Sequence, residues 1–75
     1  MRVAVEIVLN EEERGTLEKI VRSRLSSVRL VQRARIVLLA SEGKQNTEIA
    51  QELGIGRVQV SRWRKRYAQS SLSGI

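Results

Sequence analysis

The sequence predicts an all-α fold, a small bundle of about four helices preceded by a short extended arm. Apolar residues recur at three- and four-residue spacing through most of the chain, which is helical periodicity. Gly and cap-forming residues separate these stretches, and the chain contains no Pro. Its 75 residues, of which 41% are hydrophobic, make one domain near the lower size limit for an unaided core.

The first nine residues alternate between two sides, with Val3, Val5, Ile7 and Leu9 on one of them. This is the periodicity of a strand, yet no second strand-like segment follows. Two interpretations remain open. The arm 1–9 packs on the helices or stays loose, or it pairs with a second copy of the chain across a two-fold axis. The second interpretation makes the chain a dimerising interaction module.

A first helix is predicted from about Glu11 to Arg22. Asn10 is a good N-cap, and the three acids Glu11–Glu13 favour the positive end of the helix dipole. The residues expected to face inward are Leu17, Ile20 and Val21. Gly15 is costly inside a helix, by roughly 1 kcal/mol against Ala, and close packing is the only reason we can offer for it.

A second helix is predicted from about Val28 to Ser41, capped by Ser26 or Ser27 and ended by Gly43. It is apolar over more than half of its circumference, so we expect it at the centre of the bundle. The residues expected to be buried are Val31, Ala34, Ile36, Val37 and Leu38. Its basic residues Arg29, Arg33 and Arg35 are either solvated or in contact with a phosphate backbone.

The next two helices form a predicted helix-turn-helix. Asn46 or Thr47 caps the third helix, which ends near Leu53. Gly54 allows the tight, left-handed reversal that this motif needs, and the small Ala50 allows the helices to approach. The fourth helix runs from about 57 to 69. The domain therefore spans 10–69, and 70–75 is a tail or the start of a linker with Leu72 as its anchor.

The fourth helix is also the most basic part of the chain. It holds five of the 14 basic residues, no acid follows Glu52, and the net charge is +6. Such a helix favours a polyanion and can enter the major groove of double-stranded DNA. Trp63 and Tyr67 share a face with Val60 and are assigned to the core. The predicted base contacts are Arg57, Val58, Gln59, Ser61, Arg62 and Lys65; the predicted phosphate contacts are Gln45, Thr47, Arg64 and Arg66.

The composition argues against several other functions. Without His, Cys or Asp, the chain lacks the usual zinc ligands, disulfides and common general bases. We therefore predict no catalytic residue, no metal, no cofactor and no small-molecule substrate. No apolar run approaches the length of a membrane span, and the basic helix lacks the broad apolar face of an interfacial one. Membrane or RNA binding is thus a weaker interpretation than duplex DNA binding.

The chain also resembles a known family over residues 7–75. The blocks LNEEERGTLEKIVRS, RARIVLLASEGKQNTEIAQELG and SRWRKRYAQSSLSGI are similar to the N-terminal DNA-binding region of mariner-type transposases of bacterial insertion sequences. The resemblance implies a homeodomain-like helix-turn-helix that binds the terminal inverted repeats of a mobile element. It also implies a bacterial, cytoplasmic protein that lies on the nucleoid through its DNA.

In that family, a separate domain with three acidic residues and two metal ions cuts and joins DNA. This chain contains no Asp, so we expect end recognition without catalysis. The chain is then a segment of a transposase, a truncated form, or a stand-alone transcriptional regulator. A smaller departure is Gly56, where the family usually has Ser or Thr to cap the recognition helix. Gly is only a few tenths of a kcal/mol worse as a cap.

Overall fold

A computed structural model of the protein describes residues 6–74. They form α1 (Glu11–Arg22), α2 (Val28–Ser41), α3 (Asn46–Leu53) and α4 (Arg57–Ser70), followed by a 3-10 turn over Ser71–Gly74. Over this range no strand is present, and the predicted all-α class is confirmed. The predicted bounds of α1 and α2 agree with the observed ones.

The N-terminal caps of α1 and α2 are the predicted ones. The Asn10 side chain accepts a hydrogen bond from the Glu13 backbone N–H at 2.7 Å. The Ser27 hydroxyl accepts one from the Leu30 backbone N–H at 3.1 Å. Each cap satisfies a backbone donor that has no partner within its own helix. At the other end of α2, Gly43 follows the C-cap residue with a φ of 88°, a conformation that favours Gly.

The start of α3 differs from the prediction by one residue. Its N-cap is Gln45, not Asn46 or Thr47, and the Gln45 backbone N–H donates to Glu48 Oε1 at 3.3 Å. The physical reason lies outside the helix. The Asn46 side chain accepts a hydrogen bond from Arg64 of α4, so it is used between helices and not as a cap.

Helix α2 lies at the centre of the bundle, as predicted, because it contacts α1, α3 and α4. Its inner residues share one core with residues of every other helix. Val31 and Leu38, which we expected to be buried, are only half-buried. The fully buried large side chains are Leu17, Ile36, Val37, Ile49 and Val60.

The described part of the arm packs on this core. Ile7 is only 5% exposed and Leu9 is partly buried, whereas Val8 between them is 78% exposed. The alternation in the sequence thus corresponds to an inner and an outer side for residues 6–9. Val3 and Val5, which the same pattern included, lie outside the described residues.

Two further details concern the surroundings of Gly15 and the conformation of the C-terminal residues. Gly15 is exposed, and a Cβ added there would meet no described atom within 4 Å, so close packing does not explain it. Residues 71–74 of the predicted tail form a 3-10 turn. Leu72, the expected anchor, is half-buried and packs against the core.

Candidate nucleic-acid interface

The turn between α3 and α4 has the predicted geometry. Gly54 adopts a φ of 68° directly after α3, in the left-handed region that favours Gly. The Ile55 backbone N–H donates to the Ala50 carbonyl at 3.0 Å, which closes the end of α3. Gly56 is the N-cap of α4 and supplies no side-chain hydrogen bond. The three residues 54–56 therefore form the turn that joins α3 to α4.

The inner side of α4 holds the helix on the bundle. Val60 and Tyr67 are buried, and Trp63 is partly buried against the same core. The Tyr67 hydroxyl donates to Glu13 Oε2 at 2.6 Å, which links α4 to the first turn of α1. Burial, the Glu13 hydrogen bond and the Glu13 charge, in that order, raise the pKa of Tyr67 above its ordinary value.

The opposite side of α4, which we call the outer face, carries most of the predicted base contacts. Val58 is 75% exposed, an apolar side chain surrounded by polar and basic ones. No acidic residue occurs on α4, so the positive charge there has no counter-charge on the same helix. The residues of the outer face are Arg57, Val58, Ser61, Arg62 and Lys65; all are exposed except the half-buried Ser61.

Arg64 does not belong to the interface, and this corrects its predicted phosphate contact. It is only 4% exposed, and its Nη1 donates to the Lys44 carbonyl at 2.7 Å and to Asn46 Oδ1 at 3.1 Å. Burial lowers its pKa from the ordinary value, although an Arg remains charged at neutral pH. The guanidinium therefore joins α4 to the loop between α2 and α3 and to the first residue of α3.

On the side of α4 next to α3 there is an open groove. Thr47 and Arg57, a predicted phosphate contact and a predicted base contact, both line it. Gln51 lines it as well and was missed by the sequence analysis, although it lies one turn after Thr47 on the same side of α3. Gln45, the other predicted phosphate contact here, is exposed at the start of α3. The groove thus brings polar side chains of both helices to one edge of the outer face.

On the other side of α4, next to α2, two arginines approach one ring. The Arg33 Cζ lies 3.9 Å from the centroid of the Trp63 ring, and the Arg66 Cζ lies 5.4 Å from it. Nearby, Gln59 Nε2 donates to Gln32 Oε1 at 3.0 Å, so the predicted base contact Gln59 is already hydrogen-bonded to α2. Of the basic residues of α2, Arg33 is the one that lies over a ring of α4.

Metal clusters and membrane spans are both absent from the part of the chain that the structure describes. Across residues 6–74, no group of three or more His, Cys, Asp or Glu side chains is placed to hold a metal ion. None of the helices in that range is long and apolar enough to cross a membrane.

The fold and the turn define a helix-turn-helix protein. A family model for the homeodomain-like domain matches residues 27–75, well over half of the chain, and the chain belongs to this family. The match begins at the N-cap of α2, so the arm and α1 precede the matched region. Comparison with curated proteins and with solved structures gives no match. A homeodomain-like domain with a basic outer face indicates that DNA is the partner.

Proposed function

We propose that this protein binds double-stranded DNA in a sequence-specific way, with α4 in the major groove. One observation carries the proposal: the outer face of α4 is exposed, basic and free of acids, while its inner side is held by the core. B-DNA presents base edges in a groove about 12 Å wide, which admits a helix of this kind. The orientation of α4 on the bundle therefore leaves its outer face available to the bases.

Arg62 and Val58 are the proposed readers of the sequence. Both are exposed and lie one turn apart on the outer face. The guanidinium of Arg62 can form two hydrogen bonds with guanine O6 and N7, and Val58 can contact a thymine methyl group. Arg57, Ser61 and Lys65 border them, and Gln59 would reach a base only after releasing Gln32.

The phosphate contacts come from the edges of this face. Gln45, Thr47 and Gln51 are exposed on α3, whose N-terminus is favourable to an anion, and Arg66 is exposed on α4. If Lys and Arg side chains of the whole interface neutralise about four phosphates, the slope of log affinity against log salt is about −3.6. The affinity would then fall roughly 150-fold between 50 and 200 mM salt.

We further propose that the target is the terminal inverted repeat of a mobile element, bound by the non-catalytic N-terminal module of a transposase. The support is the similarity of residues 7–75 to that region of mariner-type transposases. This role places the protein on the bacterial nucleoid, in the cytoplasm. A stand-alone transcriptional regulator is the alternative. One module of this size buries little surface on DNA, so tight binding requires a second module or a dimer.

The experiment is a selection from random duplexes at two salt concentrations, with sequencing of the retained DNA. We expect an enriched motif that keeps its advantage at the higher salt. An enriched motif found at the two ends of an insertion sequence, in inverted orientation, supports the transposase role. A motif found upstream of genes supports the regulator, and binding without enrichment contradicts sequence-specific recognition.

Arg62→Ala tests the assignment of the outer face. We expect a loss of about 1–3 kcal/mol on the selected duplex and little loss on random DNA, measured by titration at one salt concentration. Arg66→Ala is the matched control, because a phosphate contact weakens binding to both duplexes alike. Equal losses from Arg62→Ala on both duplexes would reassign Arg62 to the backbone.

A further inference from the structure

Two arginines over the Trp63 ring, Arg33 and Arg66, form with Arg29, one turn earlier on α2, an arginine cluster that base recognition does not require. Arg33 projects from α2 to the face of Trp63, and Arg66 approaches the same ring from α4. Arg29 is exposed and lies one turn before Arg33 on the same side of α2. Like charges at this spacing repel each other, so the arrangement is unfavourable without an anion.

The contact with the ring leaves the donors of Arg33 unused. A guanidinium over an aromatic face is held by the ring's electron distribution and not by its N–H groups. Among the described residues, Arg33 and Arg66 have neither a hydrogen bond nor an ion pair. Trp63 therefore positions the half-buried Arg33, while the N–H donors of Arg33 have no partner among the described residues. Such pre-positioning lowers the entropy that a flexible side chain loses when it binds.

The cluster also lies on a particular side of the recognition helix. The groove that contains Thr47 and Gln51 borders α4 on the side of α3, whereas Trp63 and the Gln59–Gln32 hydrogen bond border it on the side of α2. Arg66 follows Arg62 by one turn, so it connects the outer face to this second side. A helix in the major groove has one phosphate backbone on each side of it.

We propose that Arg33, together with Arg29 and Arg66, binds phosphates of the DNA strand that lies on the α2 side of the major groove. This site rests on the proposed function and extends it. The residues on α3 bind one backbone, and the arginine cluster binds the other. The ligand is the phosphodiester group, so this contact adds affinity without distinguishing sequences.

Arg33→Gln tests the site against a matched control, Arg35→Gln. Both changes remove one positive charge from α2, but Arg35 is exposed and lies about 160° away from Arg33 around the helix. With random duplex DNA, Arg33→Gln should reduce the magnitude of the salt slope by about 1. The fall in affinity between 50 and 200 mM salt would then shrink from roughly 150-fold to roughly 40-fold. Arg35→Gln should leave the slope unchanged.

A second variant distinguishes the loss of a phosphate contact from an effect on folding. Arg29→Gln removes a charge of the cluster but leaves the contact between Arg33 and Trp63 in place, and it too should reduce the slope. Each variant is first checked by denaturant unfolding. Equal slopes for Arg33→Gln and Arg35→Gln, or an unchanged slope in both Arg33→Gln and Arg29→Gln, would overturn the proposal.

The test separates this site from the proposed function. The slope is measured on random DNA and needs no preferred sequence, whereas sequence-specific recognition is tested by the selection and by Arg62→Ala. A reduced slope without an enriched motif would keep the phosphate site and reject sequence-specific recognition. An enriched motif with unchanged slopes in the cluster variants would support sequence-specific recognition and reject the phosphate site.

Discussion

The two sides of the recognition helix are joined to the bundle by different chemistry. Toward α3, the buried guanidinium of Arg64 is hydrogen-bonded to Lys44 and Asn46. Toward α2, Arg33 lies over the face of Trp63, and its N–H groups have no partner among the described residues. The hydrogen-bond donors of Arg64 are thus engaged within the fold. Arg33 is positioned by the fold, but its donors are not engaged by any described residue.

This difference explains how one residue type serves two purposes within the segment RWRKR. Arg62 and Arg66 are exposed, whereas Arg64 between them is buried. Removing a buried charged donor leaves its acceptors without a partner, but removing an exposed one costs the fold little. Stability and binding measurements should therefore separate these arginines, although they lie only two residues apart in the sequence.

The largest effect is expected from Arg64→Ala. The change deletes the charge-assisted hydrogen bonds to Lys44, in the loop between α2 and α3, and to Asn46, at the start of α3. It should lower the free energy of unfolding by about 3 kcal/mol. Denaturant unfolding followed by circular dichroism measures it. Arg66→Ala is the control, with an expected change below about 0.5 kcal/mol. Similar losses in the two variants would abolish the distinction between the buried and the exposed arginine.

A smaller effect is expected from Tyr67→Phe. This change removes a hydrogen bond between α4 and α1 but leaves the contacts of α4 with α2 and α3 in place. The ring stays in the core, but the hydrogen bond to Glu13 is lost, which should cost about 2 kcal/mol at neutral pH. The raised pKa of Tyr67 also predicts a pH dependence. The native state holds the phenolic proton more tightly than the unfolded chain, whose tyrosine titrates near pH 10.

The stabilisation from this proton is thus present below about pH 10 and is lost as the pH rises further. Unfolding of the wild type and of Tyr67→Phe, measured from pH 7 to 11.5, should show a steeper alkaline loss in the wild type. Parallel curves for the two proteins would show that the Tyr67 proton does not contribute to folding.

The smallest effect is expected far from both sides of α4, from Gly15→Ala in α1. The added methyl group meets no described atom within 4 Å, and Ala is a better helix former than Gly. We expect the free energy of unfolding to rise by about 1 kcal/mol with no change in DNA affinity. A loss of stability would mean that the exposed side of α1 contacts something that the described residues do not show.

Much of the fold could be predicted because its signals are local. Asn10 is predicted as a cap, Ser27 as one of two candidates and Gly54 as the left-handed turn residue, since each depends on neighbours within four residues. The basic outer face of α4 followed from helical periodicity alone. The cap of α3 was missed because Asn46 is engaged by Arg64, 18 residues away, and a local signal cannot report such a contact.

By itself, the sequence determined where the helices begin and end, within a residue or so, and which side of α4 faces outward. Only the tertiary structure decided what the individual arginines do. Arg64 and Lys44 are 20 residues apart, and Arg33 and Trp63 lie on different helices. The physical reason is that helical periodicity repeats every 3.6 residues and assigns faces, whereas contacts between helices depend on how the helices cross.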